Sequence, residues 1–199
     1  MKLLFKVLFI GAIVSIPLWG CETENPRVWI KTELGDIKVE IYVNEAPITA
    51  SNFLKYVDGG LFDGGTFYRV VTMNNQPDND VKIEVVQGGL GFGESEKRFP
   101  PIAHETTAKT GVKHKDGVIS MARNEPGSAS SEIFICINDQ PELDFGGKRN
   151  PDGQGFAAFG KVIEGMDVVR KIQQQPAEGQ MLDPKIKIYS IARIDLSRS

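Results

Sequence analysis

The chain has 199 residues, of which 41% are hydrophobic and 25% charged, so it is long enough and apolar enough to bury one substantial core. Its formal net charge is only −3, and the charges are mixed along the chain without a basic block, which argues against nucleic acid as the main partner. The 21 glycines fall mostly at the ends of apolar runs, and this favours a β-rich fold with many turns over a helical bundle.

The first 21 residues differ from the rest of the chain. Lys2 and Lys6 precede an uncharged, apolar-biased stretch from Val7 to Trp19, which is short for a membrane span but suits the apolar region of an export signal. Residues 18–21, Leu-Trp-Gly-Cys, resemble the lipobox of bacterial lipoproteins. That resemblance implies that Cys21 carries lipid and becomes the mature N-terminus.

The predicted location follows from this leader. A lipidated cysteine implies an exported bacterial protein that is anchored in the cell envelope and faces the periplasm. A plain cleaved signal, which would leave a soluble periplasmic protein, and an uncleaved anchor are the alternatives. We interpret residues 1–21 as the signal, residues 22–26 as a short tether and residues 27–199 as one folded domain.

Beyond the tether, β-branched and apolar runs bounded by glycine and polar residues predict strands, and two segments with helical spacing predict helices. In chain order these are strands at 28–31 and 37–42, a helix at 47–57, strands at 67–71, 81–87, 118–122, 133–137 and 156–163, a helix at 167–174 and a strand at 185–194. Many strands with only two helices indicate a sandwich or a closed barrel, and the pattern alone does not choose between them.

Two polar stretches, residues 72–80 and 145–155, are predicted to be loops. Both adjoin segments that carry candidate site residues. They either shape the rim of the site or are tolerated surface insertions, which cost little free energy.

Four short motifs carry the strongest functional signal. They are Thr-Phe-Tyr-Arg-Val-Val at 66–71, Val-Val-Gln-Gly-Gly at 85–89, Gly-Val-Ile-Ser-Met-Ala-Arg at 117–123 and Ser-Glu-Ile-Phe-Ile at 131–135. In this order, within a resemblance that runs from Arg27 to Leu196, they resemble the cyclophilin family of peptidyl-prolyl cis-trans isomerases. The resemblance implies an eight-stranded antiparallel barrel with a helix over each open end. It also implies an isomerase that acts on proline-containing polypeptides and needs no cofactor; we expect a monomer.

The chemistry of this family limits which residues can be catalytic. Rotation about an X-Pro bond faces a barrier of about 18–20 kcal/mol. A catalyst must bind the twisted state, in which the prolyl nitrogen becomes basic, and a fixed donor in an apolar pocket does so. Arg69 matches the arginine of the family's Phe-His-Arg motif and is the candidate catalytic donor, although a strand arginine taken alone is more often solvated or in a salt bridge.

The remaining site residues are assigned by the same resemblance. It implies that Gln87 hydrogen-bonds the substrate backbone, with a turn-capping amide as the alternative. The backbone of Ala122 and Arg123 is expected to hold the residue before proline. The expected apolar wall, in which Phe134 could instead be an ordinary core residue, consists of Val85, Phe134, Leu143 and Phe156.

Several positions depart from the family's pattern. Where the family has a pocket phenylalanine, methionine, glutamine, tryptophan and histidine, this chain has Glu84, Val85, Glu132, Glu142 and Phe156. The alternative function is therefore a proline-peptide binding module or chaperone with little or no turnover. If the protein is active, we expect it to assist the folding of exported proteins.

Other reactive side chains give no competing signal. His104 and His114 lie on polar segments without ligands at metal-binding spacing, so we expect exposed loop histidines and no metal site. Cys136 lies in the apolar run 133–137 and is expected to be a small buried residue, not a catalytic thiol.

Overall fold

Eight antiparallel strands close into a barrel in the computed structural model, which describes residues 24–194. The barrel strands are β1 (Arg27–Thr32), β2 (Gly35–Ile41), β3 (Thr66–Val71), β4 (Val85–Gly89), β5 (Val118–Met121), β6 (Ile133–Cys136), β7 (Ala157–Glu164) and β9 (Met181–Arg193), and a ninth strand, the two-residue β8 (Ala177–Glu178), lies outside the ring. The order around the barrel is β1-β2-β7-β5-β6-β4-β3-β9, and β9 pairs with β1 to complete the ring. The predicted eight-stranded barrel is confirmed, and β8 adds a short hairpin to β9.

Helices pack against this barrel. They are α1 (Pro47–Asp58), the short α2 (Thr107–Thr110) and α3 (Met166–Gln173), together with a 3-10 turn at Pro141–Leu143. Pro47 begins α1, where a missing amide hydrogen is tolerated. Helix α1 contacts β7 and β9, whereas α3 contacts β2, β3 and β4. In the part of the chain that the structure describes, no helix is long and apolar enough to cross a membrane.

Strand β6 shows how the barrel creates both a core and a site. Ile133 and Ile135 belong to the main core, whereas Phe134 and Cys136 belong to a second apolar cluster. This division follows from the alternation of side chains along a strand. Because loops cover the outer face here, all four residues are buried and the strand is an unbroken apolar run. The second cluster therefore lies on the outside of the barrel wall.

The predicted strand at 81–87 was wrong at its beginning, because β4 starts at Val85. Residues 81–83 belong to the end of the preceding loop, and the Gln76 side chain holds them there. Its Oε1 accepts from the Ile83 backbone N–H (3.3 Å), and its Nε2 donates to the Ile83 carbonyl (2.8 Å). An apolar, β-branched sequence does not reveal such side-chain contacts. The predicted leader, the lipidation site Cys21 and the last residues of the chain lie outside the described residues.

Candidate active site

Three strands place the strongest predicted residues in one row. Arg69 on β3 is the register partner of Gln87 on β4, and Gln87 is the partner of Phe134 on β6. Directly opposed residues of neighbouring strands project from the same face of a sheet. A cation, an amide and an aromatic ring from three separate motifs therefore lie side by side on the outer face of the barrel.

A cleft of about 410 Å³ opens above this row. It brings together all eight predicted site residues of the barrel domain, which are Arg69, Val85, Gln87, Ala122, Arg123, Phe134, Leu143 and Phe156. Glu132, which the sequence aligned with a pocket position of the family, also lines the cleft. Further lining residues were missed from the sequence: Ile83, Gly91, Phe92, Gly93, Arg98, Asn124, Ser128, Ser130, Arg149 and Asn150. Arg149 and Asn150 come from the polar loop 145–155. In the sequence, the only sign that this loop could reach the cleft was its position beside the motifs. Of the two alternatives left open for this loop, the structure supports a role in shaping the rim.

The apolar half of the cleft is built around Phe134, of which only 4% is exposed. Its ring meets Phe156 edge to face, with 5.3 Å between centroids and 87° between planes. Leu143 and Cys136 are fully buried in the same cluster. The free thiol of Cys136 has a pKa raised well above its usual value by burial, so the expectation of a small buried residue is confirmed. This half of the cleft can hold a small apolar ring.

A directed series of hydrogen bonds, here called the Arg69–Glu132 chain, runs through the polar half. Arg69 Nη1 donates to Gln87 Oε1 (2.8 Å), Gln87 Nε2 donates to the Tyr68 hydroxyl (2.9 Å), and that hydroxyl donates to Glu132 Oε2 (2.7 Å). A guanidinium only donates and a carboxylate only accepts, so the two ends fix the orientation of the amide and of the hydroxyl between them. The chain holds the Arg69 guanidinium in one place.

Gln180 holds the other side of Arg69. Its Oε1 accepts from Nε (3.0 Å) and Nη2 (2.6 Å) of Arg69, and it lies in the turn between β8 and β9. With the bond to Gln87, three of the five guanidinium N–H groups are engaged and two remain. Burial lowers the pKa of Arg69 and the neighbouring Tyr68 opposes that shift, but a guanidinium stays protonated at neutral pH.

Glu132 has more than one role in the cleft. Its two carboxylate oxygens accept from the backbone amides of Leu90 (3.1 Å) and Gly91 (3.2 Å), and Oε1 lies 3.3 Å from Arg98 Nη2. Burial raises the pKa of Tyr68, and the charge of Glu132 raises it further, so the phenol stays protonated as a donor. The departure at Glu132 thus fits the tyrosine at 68, because the carboxylate accepts what the hydroxyl donates.

The predicted alignment of Glu84 with a pocket position was wrong. Ile83, Val85 and Gln87 alternate onto the cleft face, whereas the Glu84 carboxylate accepts from Asn138 Nδ2 (2.9 Å) outside the cleft. Side chains alternate along extended backbone, so counting back from Gln87 brings every second residue onto the cleft face. An apolar isoleucine therefore takes the place expected for a charge.

Glu142 also does not line the cleft. Its carboxylate accepts from the Lys148 amide (2.8 Å), and its carbonyl accepts from the Arg149 amide (3.2 Å). These bonds fasten the loop that carries the Arg149 side chain. A cationic rim residue thus stands in this region of the cleft.

Arg123 contributes its side chain as a clamp. The guanidinium, only 1% exposed, pairs with Asp152 (2.8 Å) and donates to the Gly155 carbonyl (2.6 Å). It also lies over the Phe156 ring, 5.2 Å from the centroid. These contacts attach the 145–155 loop to the segment that begins with Ala122.

The expectation of exposed histidines was wrong for His114. Its imidazole is fully buried between Asp144 (Nδ1–Oδ1, 2.8 Å) and Ser120 (Nε2–Oγ, 3.0 Å), and it stacks on Phe134 with centroids 6.0 Å apart. His104 is half-buried and bonds the Gln154 carbonyl. Among residues 24–194, no three histidine, cysteine or acidic side chains are grouped so that they could hold a metal ion.

Comparison with known proteins agrees with this geometry. The profile of the family described as cyclophilin type peptidyl-prolyl cis-trans isomerase/CLD matches residues 27–193. The chain belongs to this family. As the four motifs predicted, it is therefore a peptidyl-prolyl cis-trans isomerase by family.

Bacterial relatives of this cyclophilin are among the similar proteins. A peptidyl-prolyl cis-trans isomerase of Acinetobacter baylyi is 40% identical over 154 residues, which are 76% of this chain and 74% of the relative. Peptidyl-prolyl cis-trans isomerase B of Escherichia coli is 35% identical over 73% of this chain and 83% of its own. A cyclophilin-type isomerase of Cryptosporidium parvum, crystallised in the presence of the dipeptide Ala-Pro, shares the fold with a TM-score of 0.68 at 22% identity, over 85% of this chain and 99% of its own.

The buried Asp144–His114 pair predicts a pH-dependent contribution to stability. Burial alone would raise the pKa of Asp144, but hydrogen bonds from His114 outweigh it, so the pKa is lowered from 3.8. This contribution is complete above pH 3.8 and is lost as pH falls through the lower, folded-state pKa. Asp144→Asn keeps an acceptor but removes the charge, so we expect it to be less stable at pH 7 by about 1 kcal/mol.

Urea unfolding followed by circular dichroism from pH 7 to pH 3 measures this difference. The gap between wild type and Asp144→Asn should narrow below pH 3.8. Asp80→Asn, at an exposed loop position, is the control and should match wild type throughout. A gap that stays constant across the whole range would contradict the assignment.

Proposed function

We propose that this cyclophilin catalyses rotation about X-Pro bonds with Arg69 as the catalytic hydrogen-bond donor and the Phe134 cluster as the seat of the prolyl ring. The observation that carries this proposal is the fixed guanidinium of Arg69, held on two sides beside an apolar pocket. Two of its N–H groups have no acceptor among residues 24–194 and are available to a substrate.

The reaction needs only differential binding. No covalent bond forms or breaks, and no proton moves. In the twisted state amide resonance is lost, so the prolyl nitrogen becomes pyramidal and accepts a hydrogen bond that the planar ground state cannot accept. A charged donor already in position stabilises that state more than the ground state, and it does so most strongly where the surroundings exclude water. Arg69 is a charged donor already in position, and it is half-buried in the cleft.

Gln87 and the Ala122 segment would orient the peptide. The Gln87 amide gives its oxygen to Arg69 and one N–H to Tyr68, so its second N–H is available to a substrate carbonyl. The Ala122 amide donates to the Glu132 carbonyl (2.8 Å), which fixes this backbone beside the cleft for the residue before proline.

The alternative of a binding module without turnover rested on the changes at Glu84, Val85 and Glu132. Val85 does line the cleft, as a buried apolar residue of its wall. Glu84 does not line the cleft, and Glu132 ends the chain of bonds that fixes Arg69. These observations favour catalysis over binding alone.

Arg69→Ala tests the catalytic assignment. We expect kcat/KM for a proline peptide to fall at least tenfold, equivalent to about 1.4 kcal/mol of transition-state stabilisation, because the donor to the twisted bond is lost. A protease-coupled assay on a short X-Pro peptide measures it. Arg170→Ala, which removes a partly exposed arginine paired with Asp116 outside the cleft, is the control and should retain wild-type activity. A folded Arg69→Ala protein with unchanged turnover would contradict the assignment of Arg69 as the catalytic donor.

Tyr68→Phe tests whether the Arg69–Glu132 chain positions the donor. Loss of the hydroxyl leaves Gln87 without its anchor, and we expect kcat/KM to fall about three- to tenfold while the fold is retained. The decisive measurement is a double-mutant cycle. If Tyr68 acts through Gln87 on Arg69, Tyr68→Phe adds little in an Arg69→Ala background. If instead the two substitutions reduce kcat/KM by factors that multiply in the double mutant, Tyr68 does not act through Arg69.

We further propose that this isomerase is exported and tethered to the cell envelope, where it assists the folding of exported proteins. The support is the sequence of the leader, in which basic and apolar residues precede Leu-Trp-Gly-Cys at 18–21. One acyl chain of myristoyl length gives only marginal membrane binding, so lasting attachment through Cys21 requires two or three chains.

Cys21→Ala tests the tether. We expect the wild-type protein to carry a lipid mass on an N-terminal Cys21, and the variant to lose that mass and remain unprocessed. Intact-mass spectrometry of protein extracted from membranes, compared with Cys136→Ala as a matched cysteine control, measures this. An unmodified wild-type chain cut at another residue would instead support the soluble periplasmic alternative and leave the isomerase assignment intact.

A further inference from the structure

The cleft contains more arginine than carboxylate. Four arginines line it, and Glu132 is the acidic residue among the lining side chains. Two of the four charges are compensated, since Arg98 lies 3.3 Å from Glu132 and Arg123 lies 2.8 Å from Asp152. The other two arginines, Arg69 and Arg149, determine the net charge that a ligand meets.

Neither Arg69 nor Arg149 forms an ion pair with a described residue. Arg69 donates to the amide oxygens of Gln87 and Gln180. Arg149 Nη1 donates to Gln76 Oε1 (2.8 Å) and to the Val81 carbonyl (2.6 Å). All these acceptors are neutral, so both positive charges remain uncompensated within the part of the chain that the structure describes.

The two charges also act on each other. The pKa of Arg149 is lowered first by burial and then by the positive charge of Arg69. Two partly buried cations in one cleft repel each other, and this repulsion persists until an anion enters. A cleft of one sign with low-dielectric walls also concentrates ligands of the opposite charge.

Arg149 is held ready for such a ligand. One of its two acceptors, Gln76, is 1% exposed and is itself fixed by bonds to the Thr72 and Ile83 carbonyls (2.7 and 2.8 Å). Nη1 donates both of its hydrogens to protein acceptors, and no described residue accepts from the edge formed by Nε–H and Nη2–H. That edge presents two parallel donors, the arrangement that binds a carboxylate bidentately.

We propose that the cleft selects proline peptides with a carboxylate on the residue that follows proline, and that Arg149 binds this carboxylate. The proposal rests on the isomerase function proposed above. In that assignment the Ala122–Arg123 segment holds the residue before proline, and Arg123 is already paired with Asp152. The Arg149 side chain donates to the loop that ends at Ile83 and, among the described residues, makes no hydrogen bond to the Ala122–Arg123 segment, so we assign it to the residue on the other side of proline.

Exchange NMR on end-capped peptides tests the proposal without a coupling protease. The peptides are Ala-Ala-Pro-Glu-Ala, Ala-Ala-Pro-Gln-Ala and Ala-Glu-Pro-Ala-Ala, at pH 7 and low ionic strength, with the uncatalysed rate of each subtracted. We expect kcat/KM to be about tenfold higher for the peptide with glutamate after proline than for its glutamine partner, a difference of about 1.4 kcal/mol. The preference should shrink with added salt.

Three variants locate the effect. Arg149→Gln should bring the ratio for the two partner peptides to about one, and Arg149→Lys, which keeps the charge but lacks the fork, should give an intermediate ratio. Lys148→Gln removes the same charge one residue away, from an exposed side chain outside the cleft, and should keep the wild-type ratio.

The outcomes separate this proposal from the one on which it rests. Equal catalysis of both partner peptides by wild type, or a greater preference for glutamate before proline, overturns the specificity and leaves the isomerase function standing. A wild-type ratio that survives in both Arg149 variants overturns the role of Arg149. No catalysed exchange on any peptide would mean that the isomerase function itself fails.

Discussion

The hydrogen bond between Arg69 and Gln87 is the contact on which the rest of the site depends. It joins opposed residues of β3 and β4, so the pairing of the barrel strands sets its geometry. The same register places Phe134 next to Gln87 on the third strand. A shift of one residue in either pairing would turn a member of this row towards the barrel core. The strand pairing of the closed barrel thus sets the relative positions of the cation, the amide and the aromatic ring.

The Arg69–Glu132 chain has a guanidinium at one end and a carboxylate at the other. These two ends fix the orientation of the Gln87 amide and of the Tyr68 hydroxyl between them. The direction of every donor from Arg69 to Glu132 is determined, and the glutamate suits the tyrosine at 68 better than an amide that could also donate. The departure at Glu132 is therefore explained by Tyr68, the middle residue of the segment that matches the family's Phe-His-Arg motif. Taken singly, Glu132 suggested a damaged site; beside Tyr68 it is the group that completes the support of Arg69.

Much of the fold and half of the site were predictable, for a physical reason. Strand runs such as 133–136 are buried on both faces, so their apolar sequence is unambiguous, and the matched motifs lie on those strands. What sequence could not show were contacts between distant polar side chains. Gln180 holds Arg69 from 111 residues away, and His114 is buried because Asp144 and Ser120 satisfy its ring. Nothing in a polar loop sequence distinguishes such a histidine from an exposed one.

The two loops that flank the site are joined to each other, and this connection explains how one barrel can acquire its own specificity. Arg149 of one loop donates to Gln76 and Val81 of the other, and Gln180 ties the first part of that loop to Arg69 through the Asn75 carbonyl (3.0 Å). The strands fix Arg69, Gln87 and Phe134 relative to one another. The rim is bonded to them through amide side chains, backbone carbonyls and the Arg123–Asp152 ion pair. In the function proposed above, the strands therefore position the catalytic donor, whereas the peptide preference depends on the charge that the joined loops bring over the cleft.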